Sequence, residues 1–288
     1  PMPGRVRLVH EEESHARNYL VESAGFTWPG GSREKSCVSE TRVLVAIALD
    51  EAGSPCATPW ARDEAPATIF CYLPTAERTG LRFIIHGHFD LPVDRERLDL
   101  DSAWNRWVLR CAGEILGRVA AQLRDEVGQG APGANERLRA LFEVLPLPEE
   151  LSHEAYRGIV EALCETAREL EIIPGAVAGE WLSGRAALLL DDENLVDALA
   201  EVPLDGAGRR AVARVDARTG RIAQLLGAHR FGTAELIALL ETHLAAHREG
   251  TAPAQWIAAG SSRLFDALGR TAASEVDLAR VSKLALCP

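Results

Sequence analysis

The longest helix that the sequence predicts covers residues 103–127, and it constrains the fold more than any other feature. Its apolar residues recur at the spacing that places side chains on one helix face: Trp104, Trp107, Val108, Cys111, Ile115, Leu116, Val119 and Leu123. Such a stripe is stable only when another element covers it, since buried apolar area contributes about 25 cal/mol per Å². The chain therefore needs a second layer against this helix.

Three short runs before the helix are typical of strands and supply that layer. Residues 41–50, TRVLVAIALD, are rich in β-branched side chains and predict a buried strand. Residues 69–74 and 81–87 predict two more strands, and the TAERTG turn between them predicts a hairpin that Gly80 closes. Residues 51–68 are rich in Pro, Gly and small side chains and predict a loop. The sequence thus predicts an α+β fold in which a small sheet packs against helices.

A break in the pattern at residues 128–135, GQGAPGAN, is the predicted domain boundary. We expect an α/β domain over 1–130 and a mostly helical domain over 135–288, which would couple motion or contact partners. The predicted helices of the second domain lie at about 135–145, 152–171, 192–201, 219–229, 233–248 and 261–269, interrupted by the β-like pieces AALLL and RAVARVD.

Charge and composition narrow the possible partners. The net charge of −11 argues against a nucleic-acid-binding protein, although Ala223 and Gly227 have the spacing of a helix-turn-helix. No apolar run approaches the roughly 20 residues that cross a bilayer, and no signal peptide opens the chain, so we expect no membrane partner. The six scattered cysteines are typical of reduced thiols in a cytoplasmic protein. The start at Pro1 suggests a fragment of a longer protein.

Residues 83–98, FIIHGHFDLPVDRERL, place His86, His88 and Asp90 at alternate positions after an apolar run. Alternate side chains share one face of a strand, so these three are candidate ligands of one metal ion in a hydrolase. A catalytic site usually needs further supporting residues, and the next histidine is the distant His153. The alternative is a set of polar residues on the wet face of a half-buried strand, which predicts no metal site.

A series of short motifs runs through residues 70–108. In chain order it contains Leu73-Pro74, Thr79-Gly80, Gly87, Phe89, Arg95 and Trp104-Asn105. This pattern resembles the segment that follows the ATP-binding domain in sacsin-type proteins, large relatives of the 90-kDa heat-shock chaperones. A shorter echo of the broader chaperone family is Asp90-Leu91-Pro92 followed by Arg95-Glu96-Arg97-Leu98. The resemblance implies an α/β domain like the middle domain of those chaperones.

The resemblance also implies a chemical role for Arg95. In such ATPases the arginine of this turn reaches from the middle domain to the γ-phosphate of ATP held by the preceding domain. A guanidinium stays charged and binds two phosphate oxygens, so it stabilises the charge that develops in phosphoryl transfer. The family usually has a glutamine four residues later, where this chain has Asp99, which is the second candidate for nucleotide contact.

By the same resemblance, ATP and Mg²⁺ are bound mainly by a separate N-terminal nucleotide-binding domain, which is the first expected partner. The ATP site of the superfamily needs Glu-x-x-x-Asn on a helix and a later Asp-x-Gly-x-Gly, and the sequence contains neither. We therefore predict that the chain alone neither binds ATP tightly nor hydrolyses it. A client or partner protein is the second expected partner.

Two alternatives stay open. The first is a noncatalytic interaction scaffold whose ATPase ancestry has decayed, which the difference at Asp99 motivates. The second is a metal-dependent hydrolase that uses His86, His88 and Asp90.

Overall fold

A computed structural model describes residues 5–9, 16–30, 39–57, 68–93, 96–190, 196, 210–232 and 235. The chain forms two compact units, Pro1–Leu170 and Glu171–Pro288. The two helices that follow residues 128–135 lie in the first unit. At the coarse level the predicted α+β class is confirmed.

A six-stranded sheet forms one layer of the first unit. Its strands are β1 (Arg5–Val9), β2 (Ala16–Thr27), β3 (Glu40–Leu49), β4 (Ile69–Cys71), β5 (Leu73–Pro74) and β6 (Ile84–His86). They lie in the order β1-β2-β3-β6-β4-β5, and all neighbours are antiparallel except β4 and β6. β3 confirms the strand predicted at 41–50. Val43, Val45 and Ile47 alternate on one of its faces and are fully buried.

The predicted hairpin between residues 69–74 and 81–87 is wrong. β4 pairs with β6 in parallel, and the antiparallel partner of β6 on its other side is β3. The intervening turn cannot close a hairpin because parallel neighbours need a crossover connection. Gly80 does adopt a left-handed backbone, with φ +79°, and a Cβ there would lie 1.9 Å from the carbonyl oxygen of Glu150. Gly80 is thus required where this connection crosses the 148–152 segment.

Helix α1 (Ala103–Gly128) confirms the helix predicted at 103–127. Ser102 caps its N-terminus by accepting a hydrogen bond from the backbone N–H of Asn105. The predicted apolar face is buried, with only Trp107 partly exposed, and the helix packs against β2 and β3. Trp28, which follows β2, contacts the rings of Trp104 and Trp107 in tilted and edge-on geometry at centroid distances of 5.8 and 5.2 Å, and Trp104 and Trp107 contact each other at 4.9 Å.

Two further helices, α2 (Ala134–Leu141) and α3 (Arg157–Ala167), pack against α1. Two glycines on α1 allow the closest approach to α3. A Cβ added to Gly113 would lie 2.2 Å from the carbonyl oxygen of Ile159, and one added to Gly117 would lie 2.1 Å from Oγ1 of Thr166. Short 3₁₀ turns at Pro148–Glu150 and Glu154–Tyr156 connect α2 with α3.

The described part of the second unit includes five short strands and one α-helix whose bounds are described. They are β7 (Ile173–Pro174), β8 (Trp181–Leu182), β9 (Ala187–Leu190), β10 (Arg210–Ala211), α4 (Ala217–Leu225) and β11 (His229–Phe231). β10, β9 and β11 form a parallel sheet in that order, and β7 pairs with β8. β9 confirms the β-like piece AALLL, whereas only Arg210 and Ala211 of RAVARVD form a strand, β10.

The remaining predictions for this unit are tested only in part. Strand β11, and not a second helix, follows the turn at Gly227, so the Ala223–Gly227 spacing does not build a helix-turn-helix. The predicted helices at 192–201, 233–248 and 261–269 lie outside the described residues except at Val196 and Glu235. No helix within the described ranges is both long and apolar enough to span a membrane.

Candidate functional site

The connection between β6 and α1 contains the Asp90–Asp99 loop, where the sequence places its candidate nucleotide contacts. Asp94 and Arg95 lie outside the described residues, whereas both ends of the loop are described. Val93 and Glu96, the described residues on either side, are exposed, and the side chain of Val93 is fully so.

Asn105 closes the base of the Asp90–Asp99 loop. Its Oδ1 accepts a hydrogen bond from the Asp90 N–H at 2.7 Å, and its Nδ2 donates to the carbonyl oxygens of Asp90 at 2.8 Å and Asp99 at 2.9 Å. The Asp99 N–H in turn donates to the Asp90 carbonyl at 3.3 Å. Asn105 is fully buried, which is unusual for this residue type and is tolerated because the backbone of the loop satisfies its carboxamide.

The start of α1 explains how Asn105 reaches the loop. Ser102 accepts from the Asn105 N–H at 3.4 Å and donates through its Oγ to Oδ2 of Asp90 at 2.9 Å. The indole Nε1 of Trp104 donates to the carbonyl oxygen of His88 at 2.6 Å. The N-cap and first turn of the helix therefore hold His88 and Asp90, at the amino end of the loop, through four hydrogen bonds. The Trp-Asn pair of the sequence motif makes three of them.

A second anchor holds the other end of the loop. The Leu98 N–H donates to Oε1 of Glu77 at 2.8 Å, and the hydroxyl of Tyr156 donates to Oε2 of Glu77 at 3.0 Å. The Ala76 N–H also donates to the Glu96 carbonyl at 2.7 Å. Sequence reasoning missed Glu77 and Tyr156, because no local pattern links residues that lie 79 positions apart.

Burial disfavours ionisation of the Tyr156 hydroxyl. Its side chain is fully buried, and this burial raises its pKa above the usual range for tyrosine; the charge of Glu77 and their hydrogen bond act in the same direction. Tyr156 therefore stays a hydrogen-bond donor to Glu77 at neutral pH. The carboxylate receives one hydrogen bond on each oxygen, from the loop on one side and from the segment before α3 on the other.

The candidate metal ligands do not converge on one point. The rings of His86 and His88 contact the ring of Tyr72 edge-on, at centroid distances of 6.1 and 6.2 Å. The carboxylate of Asp90 instead accepts from Ser102, beside α1. Within the ranges that the structure describes, no group of three or more His, Cys, Asp or Glu side chains is placed to hold a metal ion. These histidines are partly exposed strand and loop residues beside an aromatic ring.

Tyr72 is the one described non-glycine residue with a positive φ, at 63°. It occupies the tight bend between β4 and β5, and its side chain is 78% exposed. Leu73 and Val93 are the other large apolar residues that the described surface exposes, at 75% and 101%. A strained, exposed aromatic residue costs free energy in the folded chain, and such residues cluster at functional sites.

Asp99, the second candidate for nucleotide contact, is placed at the base of the loop. Its carbonyl oxygen accepts from Asn105 Nδ2 and from the Ser102 N–H at 3.1 Å, so its backbone belongs to the closed end described above. The chain matches no protein-family model, no curated protein and no solved structure.

Proposed function

We propose that the chain is the middle and C-terminal segment of a cytoplasmic chaperone-class ATPase. In this proposal Arg95 contacts the γ-phosphate of ATP, which a separate N-terminal domain binds together with Mg²⁺. The observation that supports it is the closed base of the Asp90–Asp99 loop, where buried Asn105 joins both ends. A loop that is fixed at its base, with Val93 and Glu96 exposed, suits a side chain that acts on a ligand outside its own domain.

The chemistry of the proposal depends on preorganisation. A guanidinium stabilises a phosphoryl-transfer transition state only when it is already in place, since reorganising it during the reaction would cost free energy. Hydrogen bonds to the backbone at Asp90, Leu98 and Asp99 hold the two ends of the loop in place. Because the arginine would come from a different domain than the one holding ATP, hydrolysis would be coupled to the closure of the two domains.

The motifs behind the resemblance have structural roles consistent with the proposal. Trp104 and Asn105 anchor the loop, Phe89 is buried just before it, and Gly80 permits a close backbone approach. A Cβ on Gly87 would meet Val108 at 3.1 Å and Phe89 at 3.3 Å, so the segment leading into the loop is tightly packed.

The test is the ATPase activity of the full-length protein that contains this chain, with Arg95→Ala compared with Arg97→Ala. Arg97 is an exposed arginine of the same loop and serves as the matched control. We expect Arg95→Ala to lower kcat by on the order of 10³-fold, as loss of an arginine finger does, with ATP affinity nearly unchanged. Arg97→Ala should stay within about twofold of wild type. Equal activities of wild type and Arg95→Ala would refute the proposal.

A second candidate is a noncatalytic interaction scaffold. The exposed side chains of Tyr72, Leu73 and Val93 favour it, because large apolar residues on a surface often mark a protein-binding site. An ATPase that is insensitive to Arg95→Ala, combined with loss of partner binding on Tyr72→Ala, would support the scaffold over the catalytic segment.

A further inference from the structure

A cavity of about 340 Å³ lies beside α4 in the second unit and shares no residue with the Asp90–Asp99 loop. Three arginines from three different elements line it: Arg214 after β10, Arg221 on α4 and Arg230 on β11. We propose that this cavity binds the phosphate group of a small organic ligand. The inference goes beyond the proposed function and does not depend on it.

The cavity lies at the carboxyl ends of parallel strands. Leu190, the last residue of β9, lines it, and so do residues 212–216, which directly follow β10. β9 is the central strand, with β10 on one side of it and β11, reached through α4, on the other. Open parallel sheets bind ligands outside the carboxyl ends of their strands, where the connections diverge to the two sides of one strand. The strand order therefore favours a ligand site at this place.

The two residues before Arg214 are fixed by hydrogen bonds. The Val212 N–H donates to the Leu188 carbonyl oxygen at 2.9 Å, and the Ala213 N–H donates to the Pro174 carbonyl oxygen at 2.9 Å. These contacts join the segment after β10 to β9 and to β7. The side chain of Arg214 therefore starts from a held backbone, which reduces the entropic cost of ordering it on a ligand.

α4 contributes one face to the cavity. Four of its residues, at the spacing of neighbours on a helix surface, line the cavity: Ala217, Gly220, Arg221 and Gln224. The other end of the helix is closely packed, since a Cβ on Gly184 would lie 1.9 Å from the carbonyl oxygen of Leu226. Arg221 is thus carried by a helix that is anchored against the segment leading into β9.

The charge of the lining suits a phosphate. A guanidinium has five N–H donors and binds two phosphate oxygens at once, so it can hold an anion alongside its other partners. Among the described residues that line the cavity, Asp216 alone is acidic. Its carboxylate accepts from the N–H groups of Arg218 and Thr219 at the start of α4, so this charge is already engaged.

Apolar side chains form a further part of the wall. They are Leu189, Leu190, Val212 and Val215. Such a wall strengthens the attraction between a guanidinium and a phosphate, because it lowers the local dielectric constant. It also offers contact area to the part of the ligand that carries the phosphate. The volume lies near the lower end of the roughly 300–1,000 Å³ that is usual for small-molecule sites, so the ligand is small.

The first arm of the test titrates the chain with phenyl phosphate, inorganic phosphate and sulfate by calorimetry at constant ionic strength. We expect phenyl phosphate to bind one site with a Kd below roughly 1 mM, and inorganic phosphate to bind at least about tenfold more weakly because it lacks the apolar body. No binding of phenyl phosphate would overturn the proposal. Equal affinities for the two phosphates would show a site for the free ion and overturn the organic ligand. Sulfate that binds as tightly as phenyl phosphate would indicate an adventitious ion only.

The second arm repeats the phenyl phosphate titration with arginine variants. Arg221→Ala and Arg230→Ala should each weaken binding by about tenfold or more, since each removes charged hydrogen bonds to the anion. Arg221→Lys keeps the charge without the two-pronged geometry and should recover only part of the loss. Arg218→Ala is the matched control on the same helix, because Arg218 does not line the cavity, and it should stay within about twofold of wild type. Equal losses in Arg218→Ala and Arg221→Ala would assign the binding to general surface charge and overturn the proposal.

A third arm separates loss of the site from loss of the fold. A Cβ on Gly220, which lines the cavity, would have Cγ2 of Val215 as its nearest neighbour, at 4.0 Å. Gly220→Leu therefore fits the helix, raises its helix propensity and fills part of the cavity. We expect this variant to lose phenyl phosphate binding while its Tm stays equal to that of wild type or rises. Unchanged binding in Gly220→Leu would contradict a ligand seated in this cavity.

Discussion

The carboxamide of Asn105 and the backbone of Asp90 form a closed pair of hydrogen bonds, with the Asp90 N–H donating to Oδ1 and Nδ2 donating to the Asp90 carbonyl. Asparagine offers a donor and an acceptor at this short reach, which neither aspartate nor leucine can do. The pair fixes the distance between α1 and Asp90, the first residue of the loop. The fold of the first unit and the geometry of the candidate site therefore depend on the same side chain.

Asn105→Ala should destabilise the first unit by about 1–3 kcal/mol, because the Asp90 N–H loses its partner. The carbonyls of Asp90 and Asp99 keep the backbone donors described above and should add little. Urea denaturation followed by tryptophan fluorescence measures the change. Asn18→Ala, at an exposed position of β2, is the control and should stay within about 0.5 kcal/mol. Equal effects of the two substitutions would contradict a special role for Asn105.

Gly113→Ala should destabilise the chain by about 1–3 kcal/mol, since its Cβ would lie 2.2 Å from the Ile159 carbonyl oxygen. This cost outweighs the gain of up to about 1 kcal/mol in helix propensity that Ala brings. Gly128→Ala is the matched control on the same helix, where the nearest atom to the new Cβ is Nη1 of Arg124 at 3.8 Å. Thermal unfolding of both variants would measure the two changes in stability. A stabilised Gly113→Ala would mean that α1 and α3 do not approach this closely.

Tyr72→Gly should raise the free energy of unfolding by about 1 kcal/mol, even though it removes a ring that contacts two histidines. The left-handed backbone at this position costs an ordinary residue about 1–2 kcal/mol and costs glycine almost nothing. Tyr72→Phe keeps the backbone cost and serves as the control, with no change beyond about 0.5 kcal/mol. Destabilisation by Tyr72→Gly in a urea titration would show that the ring contacts outweigh the strain.

Asp216→Ala should destabilise α4 by about 0.5–2 kcal/mol at pH 7, because Asp216 is its N-cap. The carboxylate accepts from the N–H groups of Arg218 and Thr219 at 2.8 and 3.0 Å and from Oγ1 of Thr219 at 2.6 Å. Burial raises the pKa of Asp216, but these hydrogen bonds together lower it further, so its pKa lies below the ordinary value.

A depressed pKa in the folded state fixes the pH dependence of this contribution. It is complete above the unfolded pKa of about 4 and is lost as the pH falls through the lower, folded value. Urea denaturation at pH 7 and pH 3 should therefore give a difference between Asp216→Ala and wild type that shrinks at the lower pH. Asp125→Ala, an exposed aspartate of α1, is the control. A difference that is the same at both pH values would assign the effect to packing.

Local sequence patterns predicted two elements, α1 and β3, whose own side-chain pattern indicates their structure. The 3.6-residue spacing of apolar residues identified α1, and the β-branched run identified β3. β2 was missed because its sequence, ARNYLVESAGFT, mixes charged, small and apolar residues. It becomes a strand through hydrogen bonding to β1 on one side and β3 on the other. That stabilisation comes from pairing with other segments of the chain, and the strand propensity of the residues of β2 does not include it.

The candidate site was predictable only in part. The motif identified Trp104 and Asn105, and the structure gives both a role at the base of the loop. Glu77 and Tyr156 carried no local signal, since each resembles an ordinary surface or core residue in sequence. The hairpin prediction failed for the same reason. A turn motif in the sequence shows where the chain bends, but it does not show which strands pair. The antiparallel partner of β6 is β3, which lies about 40 residues earlier in the chain.

The position of β6 between β3 and β4 has a consequence for how the protein is made. During translation β4 and β5 leave the ribosome before β6, yet they have no place in the sheet until β6 has paired with β3. The exposed edge of β3 and the unpaired β4 must therefore remain apart for the time that residues 75–86 take to emerge. Pairing β4 directly with β3 in this interval would form a trap that has to open before folding is complete. We expect nascent chains that end before residue 84 to be prone to aggregation.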